Sequence, residues 1–341
     1  MHIRLVAPGL FWPTSPLSTT SIPGLDSVEL PSLAWLLARS HETGQTEADA
    51  ARAFSRALAL DAGAAALRAA GEPGSPCPRP GENWLCADPV NLSFAGEHLV
   101  LNPAQALKIT QEEAQDLERL MRATLAGHGE FHMASPERGY LRLTTASRIR
   151  FAPLIDAAGR PLSYFLPEGE DEREWLRIAG EVEIALHESA LNARREESGL
   201  PAINRLWFWG QGATPEPAAA PRPLVVADSL SGHGAAKLAG SFALPLARLG
   251  EALNSGADEL VILIEELEQP VLYSDCEAWL AALLSLEARL FAPLRDVLRR
   301  RGVRLEISAP LRAGGPELAI ASRRFAFWRR PAPLSRQLIR T

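Results

Sequence analysis

The chain reads as an α/β protein with a small α+β domain inserted into it, and three observations predict this. Three short runs are apolar almost throughout, 3–7, 224–227 and 259–265, and 303–308 is the last predicted core strand. Runs of that length without polar alternation are strands buried on both faces, as in a parallel sheet. Between and around them lie segments with apolar residues at helical spacing, notably 171–192 and 277–301. Residues 84–144 instead give strand, strand, helix, strand, strand, the order of an α+β unit.

The first strand, 3–7, stops at Pro8-Gly9. Residues 13–25 form a loop rich in hydroxyls, Thr14, Ser15, Ser18, Thr19, Thr20 and Ser21, which suit turns. Helices are expected at 31–39 and at 47–60, the second from Ala50, Phe54, Ala57 and Leu58. The stretch GEPGSPCPRPG at 71–81 is dense in breakers and is the first domain boundary. Strands follow at 84–87 and 98–101, a helix at 111–126 carrying Leu117, Leu120, Met121 and Leu125, and strands at 130–132 and 140–144. His128 and His132 are four apart, but Gly129 and the strand-like run after it spoil a helical ligand pair, so they read as surface or edge histidines. Helix 171–192 turns Trp175, Ile178, Val182, Leu186 and Leu191 inward, with His187 partly buried near that face. In helix 277–301 the inward stripe is Trp279, Leu283, Leu286, Leu290 and Leu294.

Composition narrows the function. A chain of 341 residues at 47% hydrophobic supports a sizeable core, and a net charge of −6 gives no field for nucleic acid or an anionic membrane. Cys77, Cys86 and Cys276 are odd in number and lack C-x-x-C spacing, which suits a reducing cytoplasm and opposes both a disulfide scaffold and a structural zinc site. No signal-type leader and no apolar run of roughly 18 residues is present. The expectation is a soluble cytoplasmic protein.

One stretch stands apart. Residues 187–212, HESALNARREESGLPAINRLWFWGQG, pass from a charged helix through a Gly-Leu-Pro break into an aromatic strand ending in Gly-x-Gly. Glycines let a backbone approach a ligand, Asn192 and Asn204 can donate hydrogen bonds, and Arg195 can grip an anion with two parallel bonds. A helix–loop–strand corner plugged by tryptophans explains the same residues without any ligand. Further on, Asp228-Ser-Leu-Ser-Gly-His233-Gly234-Ala-Ala-Lys237 opens a helix whose glycine-rich start is suited to an anion.

The pattern Asn192-x-x-Arg195-x-x-x-Gly199-x-Pro201-x-x-Asn204-x-x-Trp207-x-Trp209-Gly210-x-Gly212 resembles the signature of archaeal-type, 2,3-bisphosphoglycerate-independent phosphoglycerate mutases, of the alkaline phosphatase superfamily. Ser189-Ala190 stands where those proteins often have His-Pro, and His233 where they usually have a cation. The resemblance implies a three-layer alkaline-phosphatase-like core made of residues 1–80 and 166–341, with residues 82–165 as the inserted α+β domain. It also implies a ligand crevice shared by Asn192, Arg195, Asn204, Gly210, Gly212, His233, Gly234 and Lys237.

The metal ligands of that family have no counterparts. Pro8 replaces an aspartate after the first strand. Glu265, Glu266, Glu268 and Asp275 follow the central strand with no histidine, and Ala309-Pro310-Leu311-Arg312 follows the last one. Two-metal phosphoryl transfer needs ligands around both the attacking and leaving oxygens. The leading expectation is therefore a mutase-like pseudoenzyme without a metal, binding a small phosphorylated metabolite or acting as a regulatory protein. The aromatic basic tail FWRRP, 327–331, resembles a proteobacterial subgroup also labelled regulatory protein of the Rpf E type. One alternative is an active mutase or phosphomonoester hydrolase with Mn or Mg relocated onto Glu265, Glu266, Glu268 or Asp275. Another is an interaction protein that captures a protein partner through the tail.

Overall fold

A computed structural model describes residues 1–13, 22–46, 49–216, 222–300, 302–310, 314–321 and 332–340. The principal elements are β1 (His2–Val6), α1 (Pro31–Arg39), β2 (His41–Thr46), α2 (Ala50–Ala57), α3 (Ala64–Gly71), β3 (Asn83–Ala95), β4 (His98–Pro103), α4 (Gln111–Thr124), β5 (Gly129–Ser135) and β6 (Arg138–Leu143). They continue with α5 (Glu172–His187), α6 (Ala190–Glu197), β7 (Arg205–Ala213), β8 (Leu224–Ala227), α7 (Leu230–Leu238), β9 (Ala243–Leu244), α8 (Leu249–Asn254), β10 (Glu259–Leu263), α9 (Cys276–Leu286), α10 (Ala292–Arg300), β11 (Arg304–Ser308) and β12 (Gly315–Ala321). Two compact units result, Met1–Leu60 with Pro217–Thr341, and Asp61–Glu216.

The first unit is built on the apolar runs. Its sheet has the order β9-β8-β10-β1-β11-β12-β2. The five strands from β9 to β11 are parallel, and β12 runs antiparallel to both of its neighbours. Ile3, Leu5, Val226, Leu260, Ile262, Leu305 and Ile307 point to one face, into a core shared with α1, α8, α9 and α10. The other face carries α2, whose Ala57 carbonyl accepts from Arg4 Nη1 at 3.0 Å, and α7, whose Gly232 lies against Ala227. Helices on both faces of a mainly parallel sheet make the three-layer α/β core that the apolar strands predict. Where the pattern predicts one helix over 277–301, a π-turn at Glu287–Phe291 joins α9 to α10. Glu287 accepts from the Ser32 and Leu33 N–H groups at 2.6 and 3.1 Å, placing a carboxylate on the free donors at the start of α1.

The second unit holds an antiparallel sheet ordered β7-β3-β6-β5, with β4 on β3. Alternation splits its two faces. Leu85 and Ala87 join Phe131, Leu141 and Phe208 under α4 and α5, while Trp84, Cys86 and Tyr140 face α3. On that second side lies a buried ion pair. Arg68 of α3 donates from Nη1 and Nη2 to the two Asp88 oxygens at 2.8 and 2.6 Å. Asp88 also accepts from the Gly139 N–H at 3.1 Å and from Trp209 Nε1 at 2.8 Å. The guanidinium lies 4.7 Å from the Tyr140 ring centroid and 5.0 Å from that of Trp209. Burial works against its charge, yet the Asp88 carboxylate outweighs burial and holds the Arg68 pKa above its ordinary value.

The unit boundaries differ from the expected 82–165 insertion. The Pro/Gly stretch 71–81 lies inside the second unit because Ala65 and Ala69 of α3 pack on Trp84 and Tyr140. Residues 166–216 belong there too, since Trp175, Ile178, Val182 and Leu186 of α5 bury against β3, β5, β6 and β7. The expected helix 171–192 is two helices. Ser189 separates them by capping α6, its Oγ accepting from the Asn192 N–H at 3.2 Å. The hydroxyls at 14–21 and the tail 322–331 lie outside the described residues.

Asp88→Ala leaves a buried guanidinium without its anion and is expected to cost about 3–5 kcal/mol in urea unfolding of the full chain. Replacing both Arg68 and Asp88 by apolar residues should recover much of that loss. A single-variant cost below about 1 kcal/mol would show that α3 is held by packing alone.

Candidate functional site

In parallel α/β sheets ligands collect where the strands end, at their carboxyl edge. Here that edge has two contrasting halves. Beyond β1 it is filled. Leu10 and Phe11 are fully buried, and Trp279 of α9 donates from Nε1 to the Gly9 carbonyl at 2.8 Å. Trp12 packs edge-on against Trp279 with ring centroids 5.2 Å apart. Gly9 has φ +76°, and a Cβ there would sit 2.3 Å from the Leu267 carbonyl oxygen, so only glycine fits. The Gly9 N–H donates to the Pro310 carbonyl at 3.3 Å, tying the turn after β1 to the one after β11. A divalent metal takes oxygen or nitrogen ligands, and this packing offers side chains that have none.

The relocated set fits a metal no better. Glu266 pairs with Arg289 at 2.7 Å, and Asp275 caps α9 by accepting from the Ala278 N–H at 2.9 Å. Among the described residues no group of three or more His, Cys, Asp or Glu side chains is placed to hold a metal ion.

Beyond β8 and β10 the edge is polar. Asp228 accepts from the Leu246 N–H at 3.0 Å, and Ser229 caps α7 by accepting from the Gly232 N–H at 3.1 Å. Glu265, one residue past Ile264 at the end of β10, is hydrogen-bonded by the Ser229 and Ser231 hydroxyls. Burial pushes its carboxyl pKa up, and the two hydroxyls offset this only in part. A carboxyl thus stands beside the first turn of α7, where an external anion would otherwise find free donors. Gly232 is required by packing, since a Cβ would lie 2.4 Å from the Ala227 Cβ. Gly234 is buried in the same helix, whereas His233 and Lys237 are exposed, four residues apart on one side of it.

The remaining expected ligand residues lie in the other unit and are engaged by the protein itself. Asn192 Nδ2 donates to the Leu186 and Ile203 carbonyls, both at 2.8 Å, and its Oδ1 accepts from the Ile203 N–H at 2.9 Å. Arg195 is 1% exposed. It donates to the Pro201 carbonyl at 2.8 Å, to Glu113 at 2.8 Å and to the Leu107 carbonyl at 2.7 Å. Asn204 pairs with the Leu92 N–H and carbonyl at 2.7 and 2.9 Å, as a neighbouring strand would. Gly210, at φ +70°, sits in a bulge of β7 against Ala64 and Ala65. At Gly212 a Cβ would come within 2.5 Å of Gly63 Cα. The two glycines admit the start of α3 rather than a ligand. His187 is exposed, contrary to the expected partial burial.

The neighbouring strands expected at that crevice are corrected: β7 belongs to the antiparallel sheet and β8 to the parallel one, so Gly210-Gly212 and Gly232-Gly234 do not follow adjacent strands. The carboxyl–hydroxyl cluster of Glu265, Ser229 and Ser231 was missed as such. Its one signal in the sequence was a glutamate closing an otherwise apolar strand.

No family model matches the chain. It is 28% identical over 116 residues to a 2,3-bisphosphoglycerate-independent phosphoglycerate mutase of Methanothrix thermoacetophila, covering 34% of this chain and 29% of that protein. A namesake from Methanosarcina barkeri is 29% identical over 125 residues, covering 35% and 31%. The match thus spans about three-tenths of the length of these curated relatives. Among solved structures, a Pyrococcus horikoshii protein aligns over 94% of this chain and 87% of its own, with 15% identity and a TM-score of 0.54. A cofactor-independent phosphoglycerate mutase from Thermoplasma acidophilum covers 94% and 89% at 16% identity with a TM-score of 0.44. The chain is similar to archaeal phosphoglycerate mutases in part of its sequence, and its fold is of the α/β, alkaline-phosphatase-like kind which that similarity implies. Among the described residues no helix is long and apolar enough to cross a membrane.

Arg195→Ala is expected to cost about 3 kcal/mol in denaturant unfolding, because it strands Glu113 and two carbonyls. A loss of ligand affinity with stability unchanged would restore Arg195 to a binding role. Glu265 gives a pH test. A carboxyl raised above its ordinary value near 4.5 favours the folded state below that pH, and this contribution is lost as pH rises through the folded value. Wild type should therefore lose stability relative to Glu265→Gln as pH rises from the ordinary carboxyl value through the raised folded one. Parallel stability curves would show that Glu265 titrates normally.

Proposed function

We propose that this chain is a phosphoglycerate mutase-like protein that does not carry out metal-assisted phosphoryl transfer and instead binds a small phosphorylated metabolite. The observation that carries this reading is the filled carboxyl edge beyond β1, where Leu10, Phe11 and Trp279 occupy space that two-metal chemistry needs for charged ligands.

Binding is assigned to the polar half of the edge. Lys237 and His233 project from α7 one turn apart, so a phosphate monoester can contact both. The neutral acid form of Glu265 would tolerate a nearby anion and its carboxylate would repel one. Affinity should therefore fall as pH rises through the Glu265 pKa.

The deciding measurement couples elemental analysis with a 3-phosphoglycerate mutase assay, with and without Mn²⁺. Absence of turnover in both conditions, with 3-phosphoglycerate binding weakened roughly tenfold in Lys237→Ala by calorimetry, is the expected result. Mn²⁺-dependent turnover would replace this reading with an active mutase or phosphatase using a relocated site. Unaltered binding in Lys237→Ala would remove α7 from the ligand site.

A further inference from the structure

The second unit contains an arrangement unrelated to either the expected crevice or the α7 edge. His132 of β5 lies between two side chains from distant parts of the unit. Its Nδ1 is 3.1 Å from Glu118 Oε1 on α4, and its Nε2 is 3.3 Å from Ser75 Oγ in the loop 72–82. Glu118 is fixed in turn by Arg122 Nη2 at 2.6 Å, and Arg122 Nε donates to the Phe131 carbonyl at 3.0 Å. A hydroxyl, an imidazole and an orienting carboxylate in this sequence are the parts of an activated serine nucleophile, recognised by geometry and not by order in the chain.

The surroundings suit such a role. His132 lines a cleft of about 330 Å³ together with Cys77, Arg79, Trp84, Arg122 and Arg142. Ser75 follows Gly74, which holds φ +74°, and precedes Pro76, another lining residue, so the loop presents the hydroxyl from a constrained turn. Among the described residues none accepts from the Cys77 N–H, and Pro76 and Pro78 beside it carry no N–H at all, which leaves that donor for a developing oxyanion. Two of the cleft's three arginines are neutralised locally. Arg142 is bound by Glu82 at 2.8 Å and also by Glu130, and Arg122 by Glu118. Together with the apolar face of Trp84 this favours an uncharged substrate over a phosphate.

We propose that Ser75, His132 and Glu118 hydrolyse small uncharged carboxylic esters in this cleft. Ser75 Oγ would add to the ester carbonyl carbon while its proton passes to His132 Nε2, with Nδ1–H held by Glu118. The adduct collapses by breaking the bond to the alkoxy oxygen, which leaves as the alcohol with the proton from Nε2. Water then adds to the acyl-serine, gives a proton to Nε2, and the carboxylic acid departs as Ser75 recovers its hydrogen. Ser75 and His132 are the reacting groups, and Glu118 is a positioning residue.

The test treats the full chain with an alkyl fluorophosphonate and, separately, with p-nitrophenyl butyrate, reading adducts by intact mass and peptide mapping. The expected result is one phosphonyl group on Ser75, absent in Ser75→Ala and formed at least about 100-fold more slowly in His132→Gln. Glu118→Gln should slow ester hydrolysis and displace the acid limb of its pH profile, which a merely structural role would leave in place. Circular dichroism of each variant separates these effects from unfolding. Three outcomes overturn the proposal: no adduct on Ser75 in folded protein, equal labelling in His132→Gln, or acylation of Cys77 in place of Ser75.

Discussion

The Arg68–Asp88 pair is the constraint on which the inserted unit depends. A buried ion pair is costly to form, because both ions leave water, and it is tolerated when hydrogen bonds meet most of the remaining polar positions. Asp88 gains Gly139 and Trp209 as further donors, and Arg68 also donates to the Gly139 carbonyl at 3.3 Å and lies beside two aromatic rings, with only its buried Nε left without a partner. The partners come from α3, β3, β6 and β7, so four elements must be in register before the charges are satisfied. Glu72 extends the same logic. Burial opposes its charge, but Arg138 and the Tyr140 hydroxyl outweigh burial and hold its pKa below the ordinary value. The glycines follow from this. α3 can bring Arg68 to Asp88 only if its first residues press onto β7, and Gly63 and Gly212 are where two backbones meet with no room for a Cβ.

The first unit is organised by a different economy. Its parallel strands bury an apolar face against α1, α8, α9 and α10, and the polar groups of the site stand at their carboxyl ends, which diverge. Beyond β1 the turn is closed by tryptophan, phenylalanine and a glycine pressed on Leu267. Beyond β10 a glutamate is carried to the start of α7 and is met there by two serine hydroxyls. One sheet edge therefore holds a dry wall and a titratable group at the ends of adjacent strands.

Much of the fold was legible from hydrophobic pattern. The buried strands β8 and β10 announce themselves by having no polar alternation, and α4 and α5 by their inward stripes. β2 was invisible for the opposite reason: its sequence HETGQT is polar, and it is a strand only because it borders β12 at the edge of the sheet. α3 was missed because Ala64-Ala-Ala-Leu has high helix propensity but no amphipathic contrast. The unit boundary was misplaced because proline and glycine mark turns, and a turn inside a packed unit is composed like one between units. The candidate site was less legible than the fold. Fixed spacing at Asn192, Arg195 and Asn204 shows that these side chains are constrained, and spacing is silent on whether a ligand or a carbonyl imposes the constraint.

The residues that most resemble the mutase signature, from Asn192 to Gly212, spend their polar groups on Leu186, Pro201, Ile203, Leu107 and Leu92 backbone, and their glycines on α3. They specify the join between α6, β7 and the rest of the second unit. A chain can keep such a join intact whatever side chains stand at the strand ends of its other unit, because the two sets of residues answer to separate requirements. The intact signature is therefore evidence of architecture. Whether chemistry survives depends on Pro8, Glu265 and Ala309, where side chains reach the carboxyl edge of the sheet or fail to.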